Sequence, residues 1–107
     1  MNIEEIREYC LSKEETDESQ PFGIDSLVFK TGNRMFVLLS LTPPWWMNLK
    51  CDPEKALQLR EHYPEITPGY HMNKKHWNTI NLEGSLSDSF LKELIDISYD
   101  LVSPKKR

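Results

Sequence analysis

Apolar residues recur along this chain in two rhythms. Over residues 2–12, Ile3, Ile6 and Cys10 fall at helical spacing and Glu4, Glu5 and Glu8 take the other side, which predicts a helix. The polar, acidic stretch from Ser12 to Gln20 carries neither rhythm and predicts a loop, closed at Pro21-Phe22-Gly23 with the Phe22 ring as its anchor. Leu27–Lys30 and Met35–Leu41 then read as strands around Thr31-Gly32-Asn33-Arg34, where Gly and Asn tolerate the positive φ of a tight hairpin turn. Thr42-Pro43-Pro44 interrupts the ladder, because proline has no N–H to donate. Trp45 to Cys51 alternates cleanly and is a third strand.

Asp52-Pro53-Glu54 starts a short helix. The carboxylate caps free amides, proline suits the first helical position, and Glu54 sits at the positive dipole end. Ala56, Leu59 and Tyr63 form its inner stripe and Pro64 ends it. The irregular segment 64–76 holds a short strand near Tyr70-His71-Met72, and Trp77–Leu82 is another strand. After Gly84-Ser85, Ser87-Asp88 opens the most amphipathic segment, with Phe90, Leu91, Leu94, Ile95, Ser98, Leu101 and Val102 along one side. Pro104 stops this helix, and 103–107 is a frayed basic tail. The fold class expected is α+β. A single antiparallel sheet of about four to five strands carries the N- and C-terminal helices on one face, and a short helix lies between strands.

A two-residue turn at Gly32-Asn33 places Lys30 opposite Met35, Phe29 opposite Phe36 and Leu27 opposite Leu38. Leu27, Phe29, Phe36 and Leu38 then face the core, and Val28, Lys30, Met35 and Val37 face away; a slip of one residue would exchange the faces. Alternation adds Trp45, Met47, Leu49, Ile80 and Leu82 to the core. It adds Trp46, Asn48, Lys50, Trp77, Thr79 and Asn81 to the second face, beside Lys30. That mixed face is open to three readings: a solvated sheet surface, a platform where Trp rings stack on bases and Lys meets phosphates, or a protein-binding surface.

The 107 residues make one domain, 1–107. Eleven aromatic side chains offset an apolar content of 38%. No apolar run is long enough to cross a bilayer, and Met1–Glu5 offers neither the basic nor the apolar region of a secretory leader. Cys10 and Cys51 show no CxxC spacing and read as reduced, buried thiols of a cytoplasmic protein. The net charge of −4 argues against a polyanion partner until it is divided along the chain. Residues 1–25 carry 2 basic and 8 acidic side chains, residues 26–82 carry 7 and 4, and residues 83–107 carry 4 and 5. The sheet region is thus modestly basic, which permits a polyanion on one side.

Residues 70–79 pack Tyr70, His71, Asn73, Lys74, Lys75, His76, Trp77 and Asn78 together. These groups suit phosphate contacts and base-edge hydrogen bonds, and they equally suit an ordered loop whose Trp77 and Tyr70 pack inward. His62, His71 and His76 lack ligand spacing, so no metal is expected. Neither cysteine has a histidine partner at readable spacing and no nucleophile motif is present. His71 with Lys74 or Lys75 is the remaining acid–base candidate, and the reading is that the chain is not an enzyme.

Five stretches resemble one known family. They are Pro21-Phe22-Gly23, the Phe29-Lys30…Arg34-Met35-Phe36 hairpin, Leu49 to Arg60, the run Pro68 to Thr79, and Ser98-Tyr99…Leu101-Val102. In that order they are similar to the YjbR/MmcQ family, with Gly69-Tyr70-His71-Met72-Asn73-Lys74-Lys75-His76-Trp77-Asn78-Thr79 the most specific part. The resemblance implies a small bacterial protein with a frataxin-like, double-wing fold, a DNA-binding label and no cofactor. Arg34 stands where the family often has Lys and keeps the charge. The expected nucleic-acid contacts are Lys74, Lys75, His76, Trp77, His71, Asn78, Lys30, Arg34, Lys50 and Trp46. Binding would be modest and salt-dependent, by a monomer. The alternative is a protein-interaction adaptor of the same fold; less favoured is a small-ligand or metal binder, including iron or a partner at Glu4, Glu5 and Glu8.

Overall fold

In the computed structural model, residues 1–104 are described. The chain order is α1 (Ile3–Leu11), β1 (Thr16–Ser19), β2 (Ser26–Thr31), β3 (Arg34–Ser40), β4 (Trp46–Lys50), α2 (Pro53–His62), β5 (Ile66–Pro68), β6 (Trp77–Asn81) and α3 (Asp88–Val102). The six strands form one antiparallel sheet in the order β1-β2-β3-β4-β6-β5. Ile6 and Cys10 of α1, Ala56 and Leu59 of α2, and Leu91, Leu94, Ile95 and Val102 of α3 all join one core with Phe29, Val37, Leu39, Met47, Leu49 and Ile80 of the sheet. The three helices therefore share one face, and among the described residues no helix packs on the other.

Local chemistry starts each helix where expected. The Asp52 carboxylate accepts from the amides of Glu54 and Lys55, with Pro53 in the first helical position. The Ser87 hydroxyl accepts from Phe90 N. Asn2 and Glu5 add a reciprocal capping box at α1. The β2–β3 turn has Gly32 at φ 55° and Asn33 at φ 67°, the double positive φ of a type I′ hairpin.

Four expectations are corrected. The polar segment 12–20 contains β1, which pairs Thr16–Ser19 with Val28–Thr31. The short strand is Ile66–Pro68, while Tyr70–Met72 lies in a loop; together these raise the sheet to six strands. The hairpin register holds for Thr31/Arg34 and Lys30/Met35, then shifts so that Phe29 faces Val37 and Leu27 faces Leu39. Phe36 is thus the extra residue of a β-bulge. Val37 turns into the core and Leu38 turns to the open face, the reverse of the alternation reading. Trp45 precedes β4 and stays half-buried outside the core.

The β3–β4 pairing ends at Val37 and Leu49, and just beyond it α3 supplies a partner to one backbone group of each strand. Ser98, fully buried, donates its hydroxyl to Phe36 O at 2.6 Å and accepts from Lys50 N at 2.8 Å. One side chain thereby pins α3 to β3 and β4 at once. Across α1, the Tyr9 hydroxyl donates to Asp96 at 2.6 Å, and Lys13 pairs with the same carboxylate at 2.5 Å. Ser103, expected in a frayed tail, is buried as the α3 C-cap, and Pro104 lies against Gly32. Residues 105–107 of that tail lie outside the described residues.

Cys10 and Cys51 are free and buried. Burial pushes the Cys10 thiol up from 9.0 to about 12. In the unfolded chain the thiol ionises first, so its contribution to stability is complete below about pH 9 and is lost as pH rises toward about 12. The difference in unfolding free energy between the wild type and Cys10→Ala is expected to be flat up to pH 9 and to shrink above it, measured by urea unfolding at a series of pH values.

Candidate functional site

The open face of the sheet is crossed by the loop 69–76, which leaves β5 after Pro68 and re-enters the sheet at Trp77. Two sets of polar side chains brace it. On the sheet, Asn48 of β4 faces Thr79 of β6. Thr79 Oγ1 donates to Asn48 Oδ1 at 2.5 Å and accepts from Tyr70 N at 2.8 Å, while Asn48 Nδ2 donates to Tyr70 O at 2.9 Å. Both backbone groups of Tyr70 are therefore held by one cross-strand pair. Asn48 is fully buried although it points away from the helices, because the loop covers it.

Arg60 of α2 braces the other end. Its Nε donates to Asn78 Oδ1 at 2.6 Å, and its Nη2 donates to Lys74 O and, at 3.3 Å, to Trp77 O. The loop closes on itself through Gly69 N to Trp77 O at 2.9 Å and Lys74 Nζ to Gly69 O at 2.9 Å. A Cβ at Gly69 would lie 2.7 Å from Trp77 Cβ, so this close approach needs glycine. Asn73 Oδ1 accepts from the amides of Lys75 and His76, an Asx turn within the loop. His76 O accepts from Cys51 N at 2.8 Å, tying the loop to the β4–α2 junction.

This bracing fixes what the loop presents. Tyr70 is 55% exposed, and its ring meets Trp46 edge to face at 5.9 Å and the His71 ring at 3.9 Å. His71 is held at φ 61°, a left-handed conformation costly for a residue with a Cβ. Beside these rings runs a groove of about 450 Å³, lined by Phe22, Asp25, Leu38, Pro43, Pro44, Trp46, His71 and Met72 among others. Phe22 is 67% exposed; the expectation that its ring anchors the preceding loop is corrected.

The structure brings together some of the ten candidate residues and separates others. Lys74, Lys75 and His71 are exposed on the loop, and His76 and Trp46 are half-buried beside it. Among the described residues the Lys75 ammonium has no partner. Lys50 lies opposite Trp77 at the same end of the sheet. Lys30, which faces Asp17 and Met35, and Arg34 in the hairpin turn sit farther off; β2 is three strand spacings from β6, about 14 Å. Trp77 and Asn78 are corrected: they are 8% and 2% exposed. Trp77 faces away from the helices but is roofed by the loop, and Asn78 faces α2, where it also donates to Ala56 O. Neither is presented to a ligand. Asn48, Thr79 and Arg60 are absent from the ten candidates, and Phe22 was expected only as a loop anchor. The polar alternation of β4 and β6 was the signal for Asn48 and Thr79, and it placed them on the face open to three readings; Arg60 carried only its place at the end of the Leu49–Arg60 stretch. Among the described residues no three His, Cys, Asp or Glu converge as metal ligands.

These features define a class: a small α+β protein with three helices on one sheet face and a braced, basic-aromatic loop on the other. The YjbR family model matches residues 11–101, and the chain belongs to the YjbR family. It is 46% identical over 83 residues to the uncharacterized protein YbdF of Escherichia coli O157:H7, covering 77% of this chain and 68% of that one. It is 33% identical over 100 residues to the uncharacterized protein YjbR of Escherichia coli K12, covering 92% and 85%. Two solved structures share the fold. A Deinococcus radiodurans protein with a DUF419 domain superimposes with TM-score 0.90 at 38% identity, over 99% of this chain and 81% of that one. A Pseudomonas syringae protein superimposes with TM-score 0.82 at 30% identity, over 95% and 99%.

Proposed function

We propose that this chain is a non-catalytic binding module whose ligand is nucleic acid, DNA in the first instance, contacted by the loop 69–76. The observation that carries this reading is the bracing itself. Asn48, Thr79 and Arg60 spend their hydrogen bonds on holding a loop that offers Tyr70, His71, Lys74 and Lys75 to the outside. Cations carried on a held loop beside exposed rings suit phosphates and bases. Acidic side chains concentrate in residues 1–25, so the polyanion has one favourable approach. The buried, free thiols fit a cytoplasmic setting, and among the described residues no helix is long and apolar enough to cross a membrane.

Lys50, Lys74 and Lys75 supply about three phosphate contacts, for a log–log salt slope of about −2 on single strands and −3 on duplex. Fluorescence anisotropy with labelled oligonucleotides across a salt series tests this. Lys74→Ala/Lys75→Ala is expected to weaken binding about tenfold at low salt and to flatten the slope by about two. No binding at low salt, or binding unchanged in the double variant, overturns the reading.

The second reading, a protein-interaction adaptor, is favoured by the exposed apolar side chains of Phe22 and Ile24, 67% and 84% accessible. It predicts a stoichiometric, nuclease-resistant complex that Lys74→Ala/Lys75→Ala leaves intact.

A further inference from the structure

The groove beside the loop has a composition of its own. Its walls are the Phe22 ring, Leu38, Trp46, His71 and Met72, and it holds a single acidic group, Asp25. At about 450 Å³ it falls in the size range of small-ligand sites. Aromatic rings from three separate segments line it: Phe22 from the β1–β2 connection, Trp46 from β4 and His71 from the loop. Such a lining suits a flat ring.

The charge around the groove is arranged unevenly. Lys74 Nζ bonds Gly69 O, only two residues before His71, which places that ammonium within about 10 Å of the His71 backbone. Lys75 follows it and is exposed. Asp25 repels anions inside the groove while Lys74 and Lys75 attract them outside. A ligand that matches both must put a neutral flat ring in and leave an anionic backbone out. A nucleotide within a strand has that design, and in a duplex its base is already stacked and paired.

Building on the nucleic-acid reading above, we infer that this groove receives an unpaired base, so that the ligand is single-stranded nucleic acid rather than duplex. Base stacking on protein rings tolerates any sequence and adds a contribution that phosphate contacts lack. The exposed Phe22 ring is the wall most readily removed without loss of fold.

Anisotropy with a labelled single strand of roughly 12 nucleotides, and with the duplex of the same sequence, at low salt, tests the inference. The single strand is expected to bind at least tenfold more tightly. Phe22→Ala is expected to weaken single-strand binding about five- to tenfold, leaving duplex binding and the urea midpoint unchanged. Asp25→Asn is expected to tighten single-strand binding about twofold, because a repulsive charge is removed. Equal or tighter duplex binding, or a single-strand affinity indifferent to Phe22→Ala, overturns the inference and leaves the broader nucleic-acid reading standing. Failure of both oligonucleotides to bind overturns the two together.

Discussion

Ser98→Ala is expected to destabilise the chain by about 2–4 kcal/mol, a large share of the stability of a domain this size. The hydroxyl is the partner of both Phe36 O and Lys50 N, at 2.6 and 2.8 Å, in a fully buried position. Alanine fills nearly the same space but leaves a carbonyl and an amide buried and unpaired, at about 1–3 kcal/mol each before relaxation. The effect is global, because α3 covers the centre of the sheet. Thermal unfolding should show it as a fall of about 10–25 °C in Tm. Oligonucleotide affinity, measured below the transition, should stay at the wild-type level, since the loop 69–76 touches none of these atoms.

Arg60→Ala is expected to combine a comparable loss of stability, about 2–4 kcal/mol, with a loss of function. Most of the stability change comes from Asn78 Oδ1, which accepts from Arg60 Nε at 2.6 Å and is left buried without a donor. The bonds from Nη2 to Lys74 O and Trp77 O lie nearer the surface, where water replaces the lost donor, so they add less. Their loss frees the second half of the loop, and the cations no longer sit at fixed positions. Amide hydrogen exchange at residues 74–77 should accelerate well beyond the global change, and oligonucleotide binding should fall about tenfold. Arg60→Lys should recover little, because one ammonium cannot bond along the two directions of a guanidinium. The contrast with Ser98→Ala separates the stability of the fold from the geometry of the loop.

Much of this architecture was legible in the sequence where one local rule decided the outcome. Asp52-Pro53 and Ser87 cap their helices as their chemistry dictates, and the apolar stripe of α3 is buried along its length. The faces of β4 and β6 followed from alternation, and Met47, Leu49 and Ile80 are in the core. The bulge at Phe36 was not legible. The run Phe36-Val37-Leu38-Leu39 is apolar throughout, so a shift of one residue leaves no mark in the pattern, and the side chain that bonds Phe36 O, Ser98, is 62 positions away. Strand β1 was hidden for the opposite reason: Thr16-Asp17-Glu18-Ser19 is an edge strand whose exposed polar side chains read as loop.

The site was half legible. The composition of residues 70–79 drew attention to the right segment, but chemistry alone could not separate residues that hold the loop from residues that the loop displays. Asn78 and Trp77 look as suited to a ligand as Lys75 does, yet they are buried. Asn48 and Thr79 were placed only on the second sheet face, because alternation says which face a side chain takes and nothing about what covers that face. Their partner, Tyr70, lies 22 positions from Asn48 and 9 from Thr79, and only the folded chain brings the three together.

The braced loop and the rings beside it are the surface proposed to meet nucleic acid. An amide-resolved NMR titration of the intact chain with a single-stranded oligonucleotide at low salt tests it most directly. Saturable shifts confined to residues 20–25, Trp46, Lys50 and 69–76 are expected, with α1 and α3 silent. Shifts centred on α1 or α3, or a spectrum unchanged at excess oligonucleotide, would contradict it.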